Sequence, residues 1–94
     1  MFFIWDELKN KANKKKHTVS FEEAETIFSD KNGLFMHDPD HSDEEDRFIL
    51  IGMSENLRLL VVVHAYREDD EIIRIISART AEKPEEKAYM RGKL

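Results

Sequence analysis

Apolar and polar positions change period once along this chain, and the change divides it into a helical part and a strand part. Phe2 to Trp5 is a short β-prone run, and Asp6 directly after it is suited to cap a helix from about Glu7 to Lys16. Lys14, Lys15, Lys16 and His17 fall at the end of that helix, where cations oppose the macrodipole favourably. Ser20-Phe21-Glu22-Glu23 reads as a capping box opening a second helix to about Ser29, with Phe21, Ala24, Ile27 and Phe28 on one apolar face. Asp30-Lys31-Asn32-Gly33 stops it.

From Leu34 onward the pattern is that of strands. Leu34 to His37, Phe48 to Ser54, Leu57 to Tyr66 and Ile72 to Arg79 are rich in Ile, Val, Leu and aromatics, and each is bounded by polar or turn residues. The connections Glu55-Asn56 and Glu68-Asp69-Asp70-Glu71 have hairpin length, which predicts an antiparallel meander. Pro84, Glu85 and Glu86 suit the first turn of a closing helix that runs to about Arg91 and stops at Gly92. The expected fold class is α+β, in the order β-α-α-β-β-β-β-α, with the meander packed against helices. The 94 residues are expected to form one domain, 1–94, with no internal repeat or linker.

Composition narrows the chemistry. The absence of cysteine removes disulfides, thiolate metal sites and thiol nucleophiles. Leu59 to Val63, a purely apolar run that no other in the chain exceeds, is far too short to span a bilayer, and no secretory leader pattern opens the chain, so a cytoplasmic protein without membrane association is expected. The formal charge of −5 argues against generic coating of nucleic acid. Its distribution matters more: Lys9, Lys11, Lys14, Lys15 and Lys16 lie in a stretch without acids, whereas Asp38, Asp40, Asp43, Glu44, Glu45 and Asp46 crowd one loop. Opposed basic and acidic regions suit a protein that holds a polyanion on one surface and repels it elsewhere.

Strict alternation along the strands groups Arg47 with Ile49 and Ile51, His64 with Leu60 and Val62, and Arg79 with Ile73, Ile75 and Ser77, each at or beyond the end of an apolar face. Arg74, mid-strand between Ile72 and Ile76, must reach solvent or find a carboxylate. A histidine ordinarily titrates near neutrality, as a general acid or base requires, although a hydrogen-bonded residue at the core edge is the plainer reading for His64. For His17 the plainer reading is a helix C-terminal residue. The acidic loop from His37 to Asp46 fails the EF-hand pattern, since the sixth and twelfth places counted from Asp38 hold Asp43 and Ile49. No zinc spacing, glycine-rich phosphate loop or readable Ser-His-Asp order is present, so neither metal nor cofactor is expected.

Taken in order, Phe3-x-Trp5-Asp6-x-x-Lys9, Asn13-x-x-Lys16-His17-x-Val19-Ser20-Phe21-Glu22-Glu23-Ala24, Asp40-His41-Ser42-x-x-Glu45-x-Arg47, Ile51-Gly52, Leu60-Val61-Val62 with His64 and Arg67, and Ile73-Arg74-Ile75-Ile76-Ser77-Ala78-Arg79 make a set that resembles the BrnT family of bacterial toxins nearly from end to end. Thr18 stands where that family often has Gly, and the segment around Tyr89 and Met90 matches least. The resemblance implies a RelE-like fold, endoribonuclease activity that arrests growth, and neutralisation by a BrnA-like antitoxin with a ribbon-helix-helix DNA-binding part, so that operator DNA is met only through the antitoxin and the pair represses its own operon.

RNA cleavage without metal needs a base for the 2′-hydroxyl, cations for the phosphate and an acid for the leaving 5′-oxygen. Glu45 or His64 can serve as base or acid, and Arg47, Arg67 and Arg79 as phosphate clamps. Lys9, Lys16 and His17 would guide the RNA strand, with Tyr89 or Tyr66 offering a ring for stacking. Two other readings are a non-catalytic RNA- or protein-binding module on the same fold, and a structural partner using an exposed sheet edge.

Overall fold

The computed structural model describes residues 1–41 and 45–92. Part of the predicted acidic loop, Ser42, Asp43 and Glu44, lies outside the described residues. The elements run β1 (Phe2–Ile4), α1 (Glu7–His17), α2 (Phe21–Thr26) with a 3-10 turn over Ile27–Ser29, β2 (Leu34–His37), a 3-10 turn over Pro39–His41, β3 (Phe48–Met53), β4 (Leu59–Arg67), β5 (Ile72–Thr80) and α3 (Lys83–Arg91).

The predicted meander is present, and β1 extends it. The sheet order is β1-β5-β4-β3-β2, with β1 parallel to β5 and every other pairing antiparallel. The five-stranded sheet is therefore mixed rather than wholly antiparallel. The β3–β4 turn is longer than the predicted two residues: Ser54 N–H donates to Arg58 O at 2.8 Å, and exposed Leu57, expected in the strand, sits in the turn with φ +60°.

The helix ends obey local rules, with one exception. The Asp6 carboxylate accepts from Leu8 and Lys9 N–H at 2.8 and 3.3 Å and caps α1. Thr18 closes α1 in the left-handed conformation, φ 59°, which explains why glycine is the natural occupant there. Ser20 Oγ accepts from Glu23 N–H at 3.0 Å, but the reciprocal half of the predicted capping box is replaced: Glu23 turns inward, accepts from Ser54 Oγ at 2.6 Å and pairs with Arg58.

One face of the sheet carries the core. Val19, Phe21, Ala24 and Ile27 from the α2 side pack on Leu50, Leu60, Val62, Ile73, Ile75 and Ala78, with Phe3, Trp5, Phe28 and Tyr66 at the margins. The lysine-rich α1 has little apolar surface to contribute and is held by amides instead. Asn13 accepts from Ala78 N–H at 3.2 Å and donates to Ala78 O at 2.8 Å, taking up the backbone groups of β5 beyond the end of short β1. Asn10 accepts from Phe21 N–H at 2.8 Å and donates to Glu22 at 2.9 Å. Helix α3 is tied to the opposite sheet face through Arg79, and its Ala88 is buried. No helix among the described residues is long and apolar enough to cross a membrane.

Candidate active site

A bulge in β5 sets the geometry of the second face. Val63 pairs with Ser77 while its neighbour His64 pairs with Ile75, so Ile76 has no partner and the alternation of β5 resets there. Before the bulge, Arg74 stands opposite Ala65; after it, Arg79 stands opposite Val61, on the same face. Strict alternation put Arg79 with Ile73 and Ile75; the extra residue moves it instead to the face of Arg74, away from the core.

On this face four side chains converge. Glu45, just before β3, accepts from Arg67 Nη1 at 2.8 Å and from Arg74 Nη2, and lies 3.5 Å from Arg47 Nε. The Arg67 hydrogen bond, with the charges of Arg74 and Arg67 and a contact from Arg47, outweighs partial burial and holds the Glu45 carboxyl below the usual carboxylate range. Arg74 thus finds the carboxylate its mid-strand position demands. Three guanidiniums share one carboxylate, leaving an excess of two positive charges among these four side chains. A guanidinium has five N–H donors, so each arginine keeps hydrogen-bonding capacity beyond what Glu45 uses.

Arg79 is engaged differently. Its Nη1 and Nη2 donate to the two oxygens of Glu85 at 2.8 and 2.7 Å, and Glu85 also accepts from Glu82 N–H at 2.8 Å at the start of α3. This fork-to-fork pair fixes the guanidinium at the end of β5 and binds α3 to the sheet.

The remaining candidates lie elsewhere. His64 is fully buried on the core face, its Nδ1 3.2 Å from Val62 O, its Nε2 without a hydrogen-bond partner among the described residues, and its ring edge-on to Phe28 at 4.9 Å and Tyr66 at 5.4 Å. Burial pushes its pKa down to about 4 against the weaker opposing effect of Val62 O. The sheet separates it from the arginines, and the aromatics of β2, β3 and β4 cover what was expected to be a strand end open to a cleft. Lys9 and Lys16 are exposed and His17 half-buried on α1, on the helix side of the sheet and not beside Glu45. Tyr89 donates its hydroxyl to Asp30 at 2.6 Å; that bond pushes the phenol up to about 12 and clamps α3 to the turn before β2.

Sequence reasoning missed Arg74 as a member of the cluster, because a five-residue spacing from Arg79 hides a shared face. It also passed over Phe35 and Phe48, which stack at 5.1 Å on the same face as His64, across the sheet from the arginines. Their signal was available in the aromatic content of β2 and β3.

A mixed α+β sheet presenting arginines around one carboxylate defines a small protein suited to gripping phosphates. Comparison gives the family. The model for the ribonuclease toxin BrnT of type II toxin–antitoxin systems matches residues 5–85, and the chain belongs to that family. It resembles the Brucella abortus ribonuclease toxin BrnT, known from a 1.1 Å crystal structure, with 27% identity, a TM-score of 0.63, 88% of this chain covered and 100% of that one. No curated protein matches it in sequence. The chain is a ribonuclease toxin, an endoribonuclease with an antitoxin as its partner.

Proposed function

We propose that this toxin acts as a single domain, residues 1–94, in the cytoplasm, cutting single-stranded RNA without a metal ion at the face formed by Glu45, Arg47, Arg67, Arg74 and Arg79. The observation that carries this reading is the convergence of three guanidiniums on Glu45. An incoming phosphate competes with Glu45 for these donors, and a carboxylate relieved of its arginines regains basicity. Glu45 then takes the proton of the 2′-hydroxyl as its oxygen bonds to phosphorus. The bond from phosphorus to the 5′-oxygen breaks, leaving a 2′,3′-cyclic phosphate and a 5′-oxygen that is protonated from water. The arginines offset the extra charge of the phosphorane-like transition state.

The antitoxin, in this reading, carries a ribbon-helix-helix DNA-binding part, covers the arginine face, and with the toxin represses their operon. The purified protein is expected to cut single-stranded RNA in EDTA, giving cyclic phosphate ends, and to stop when the co-expressed antitoxin is added. RNA left intact in EDTA but cut on adding magnesium would overturn the metal-free mechanism. Cleavage unchanged by the antitoxin would overturn the occlusion of this face.

A further inference from the structure

Where Glu45 and Arg67 reach the end of the sheet, the opposite face carries a feature that phosphate chemistry does not use. Phe35, Phe48, Tyr66 and Met1 line a cavity of about 610 Å³ whose rim carries Arg67 and the carboxylates of Glu45, Asp46 and Asp70. That volume falls within the roughly 300–1,000 Å³ of small-ligand sites. Phe35 and Phe48 lie nearly parallel at 5.1 Å, with Tyr66 edge-on to Phe48 at 5.5 Å. Phe35 belongs to an edge strand and is 53% exposed, a large fraction for a ring within an aromatic group.

Glu45 and Arg67 border this cavity as well as the phosphate-gripping cluster, so RNA that passes from the arginines over the end of the sheet meets the aromatics there. The rim also contains Asp46, whose side chain is 77% exposed and whose Oδ1 lies 3.5 Å from His37 Nε2. A carboxylate there disfavours a second phosphate and accepts from N–H groups. We propose that this cavity is a nucleobase subsite in which the base next to the scissile phosphate stacks on Phe35 while Asp46 favours bases with an exocyclic amino group over uracil. Uracil has no exocyclic amino group and offers the carboxylate only N3–H, flanked by two carbonyl oxygens of like polarity. The inference rests on the proposed cleavage site at Glu45, and it adds a determinant of where the RNA is cut.

The test uses the purified full chain on single-stranded RNA oligonucleotides carrying each of the four bases at the mapped cleavage position. Phe35→Ala is expected to raise KM roughly tenfold with a smaller change in kcat, the scale of one lost base–aromatic stack. Phe35→Leu, which keeps apolar bulk without a π face, is expected to behave like Phe35→Ala, and thermal melts of both confirm folding. Asp46→Asn is expected to narrow the discrimination against uracil. Glu45→Gln, run in parallel, separates the two ideas. If it abolishes cleavage while Phe35→Ala keeps the wild-type KM and cleavage pattern, the subsite is wrong and the catalytic face stands. If Glu45→Gln cleaves normally, Glu45 is not the base, and an unchanged KM for Phe35→Ala would then overturn the subsite by itself. Weakened antitoxin binding by Phe35→Ala with unchanged RNA kinetics would also overturn the proposal, by assigning the ring to the protein partner.

Discussion

Arg74 and Arg79 stand on the same face of β5, although a five-residue step places two side chains on opposite faces of a regular strand. The unpaired Ile76 between them absorbs the difference. One arginine meets Glu45 and the other Glu85, so a single bulge brings the middle of the strand and its end to one face of the sheet.

Arg79→Ala is expected to slow cleavage roughly 10²–10³-fold, the scale for losing one preorganised charge-stabilising donor. It also breaks the bond to α3, so Glu85→Ala serves as the control. Both partners are partly solvated, and the pair is expected to contribute only about 1 kcal/mol or less. Thermal melts of the two variants should therefore shift alike, whereas RNA cleavage assays should show the large loss for Arg79→Ala only. Equal cleavage by both would make Arg79 a structural residue.

Glu45→Gln removes the carboxylate that pairs with Arg47, Arg67 and Arg74. The expected outcome is slower cleavage together with tighter RNA binding, because the uncompensated positive charge rises and phosphate contacts strengthen. Binding isotherms at several salt concentrations check the second half, with a steeper salt dependence in the variant. Weaker binding would show that Glu45 orders the arginines rather than competing with RNA for them.

His64 fixes a pH dependence of stability. Its folded pKa of about 4 lies below the ordinary 6.5, so between these values the unfolded chain takes up a proton that the folded chain refuses. The favourable contribution of the neutral, buried ring is complete above about pH 6.5 and is lost progressively as pH falls toward 4, amounting to about 3 kcal/mol. Urea titrations from pH 7 to 4.5 should show the fall, and His64→Leu should flatten it. A His64→Leu profile as steep as that of the native chain would assign the loss to other groups.

Tyr89→Phe deletes the hydroxyl that donates to Asp30 and leaves the ring. A charged acceptor in a half-buried setting makes this bond worth about 1–2 kcal/mol. The melting temperature should drop while RNA cleavage by the folded protein stays at the native rate. A selective loss of RNA binding would return Tyr89 to the RNA surface.

Thr18 occupies a left-handed position, φ 59°, at the end of α1. Its backbone oxygen accepts from Arg58 at 2.9 Å, a bond that glycine would keep. Thr18→Gly should stabilise the protein by about 0.5–1 kcal/mol, the left-handed penalty less the extra chain entropy of glycine. An unchanged or lowered melting temperature would mean that the Thr18 side chain contributes more than its strain costs.

The sequence by itself determined the element order, the Asp6 and Ser20 caps, the antiparallel meander and the arginine-rich character of the molecule, because each depends on residues a few positions apart. Glu45, Arg47, Arg67 and Arg79 were legible as chemistry, but their grouping was not. Only the tertiary structure decided that β1 joins β5 in parallel, that Ile76 bulges, that Arg74 completes the ring around Glu45, that Glu23 leaves its capping box for Arg58, and that His64 is sealed beneath Phe28 and Tyr66. Each of these joins segments distant in sequence. A one-residue change of register reverses every side chain beyond it, so the face an arginine occupies is set by its partner strand and cannot be read from its own.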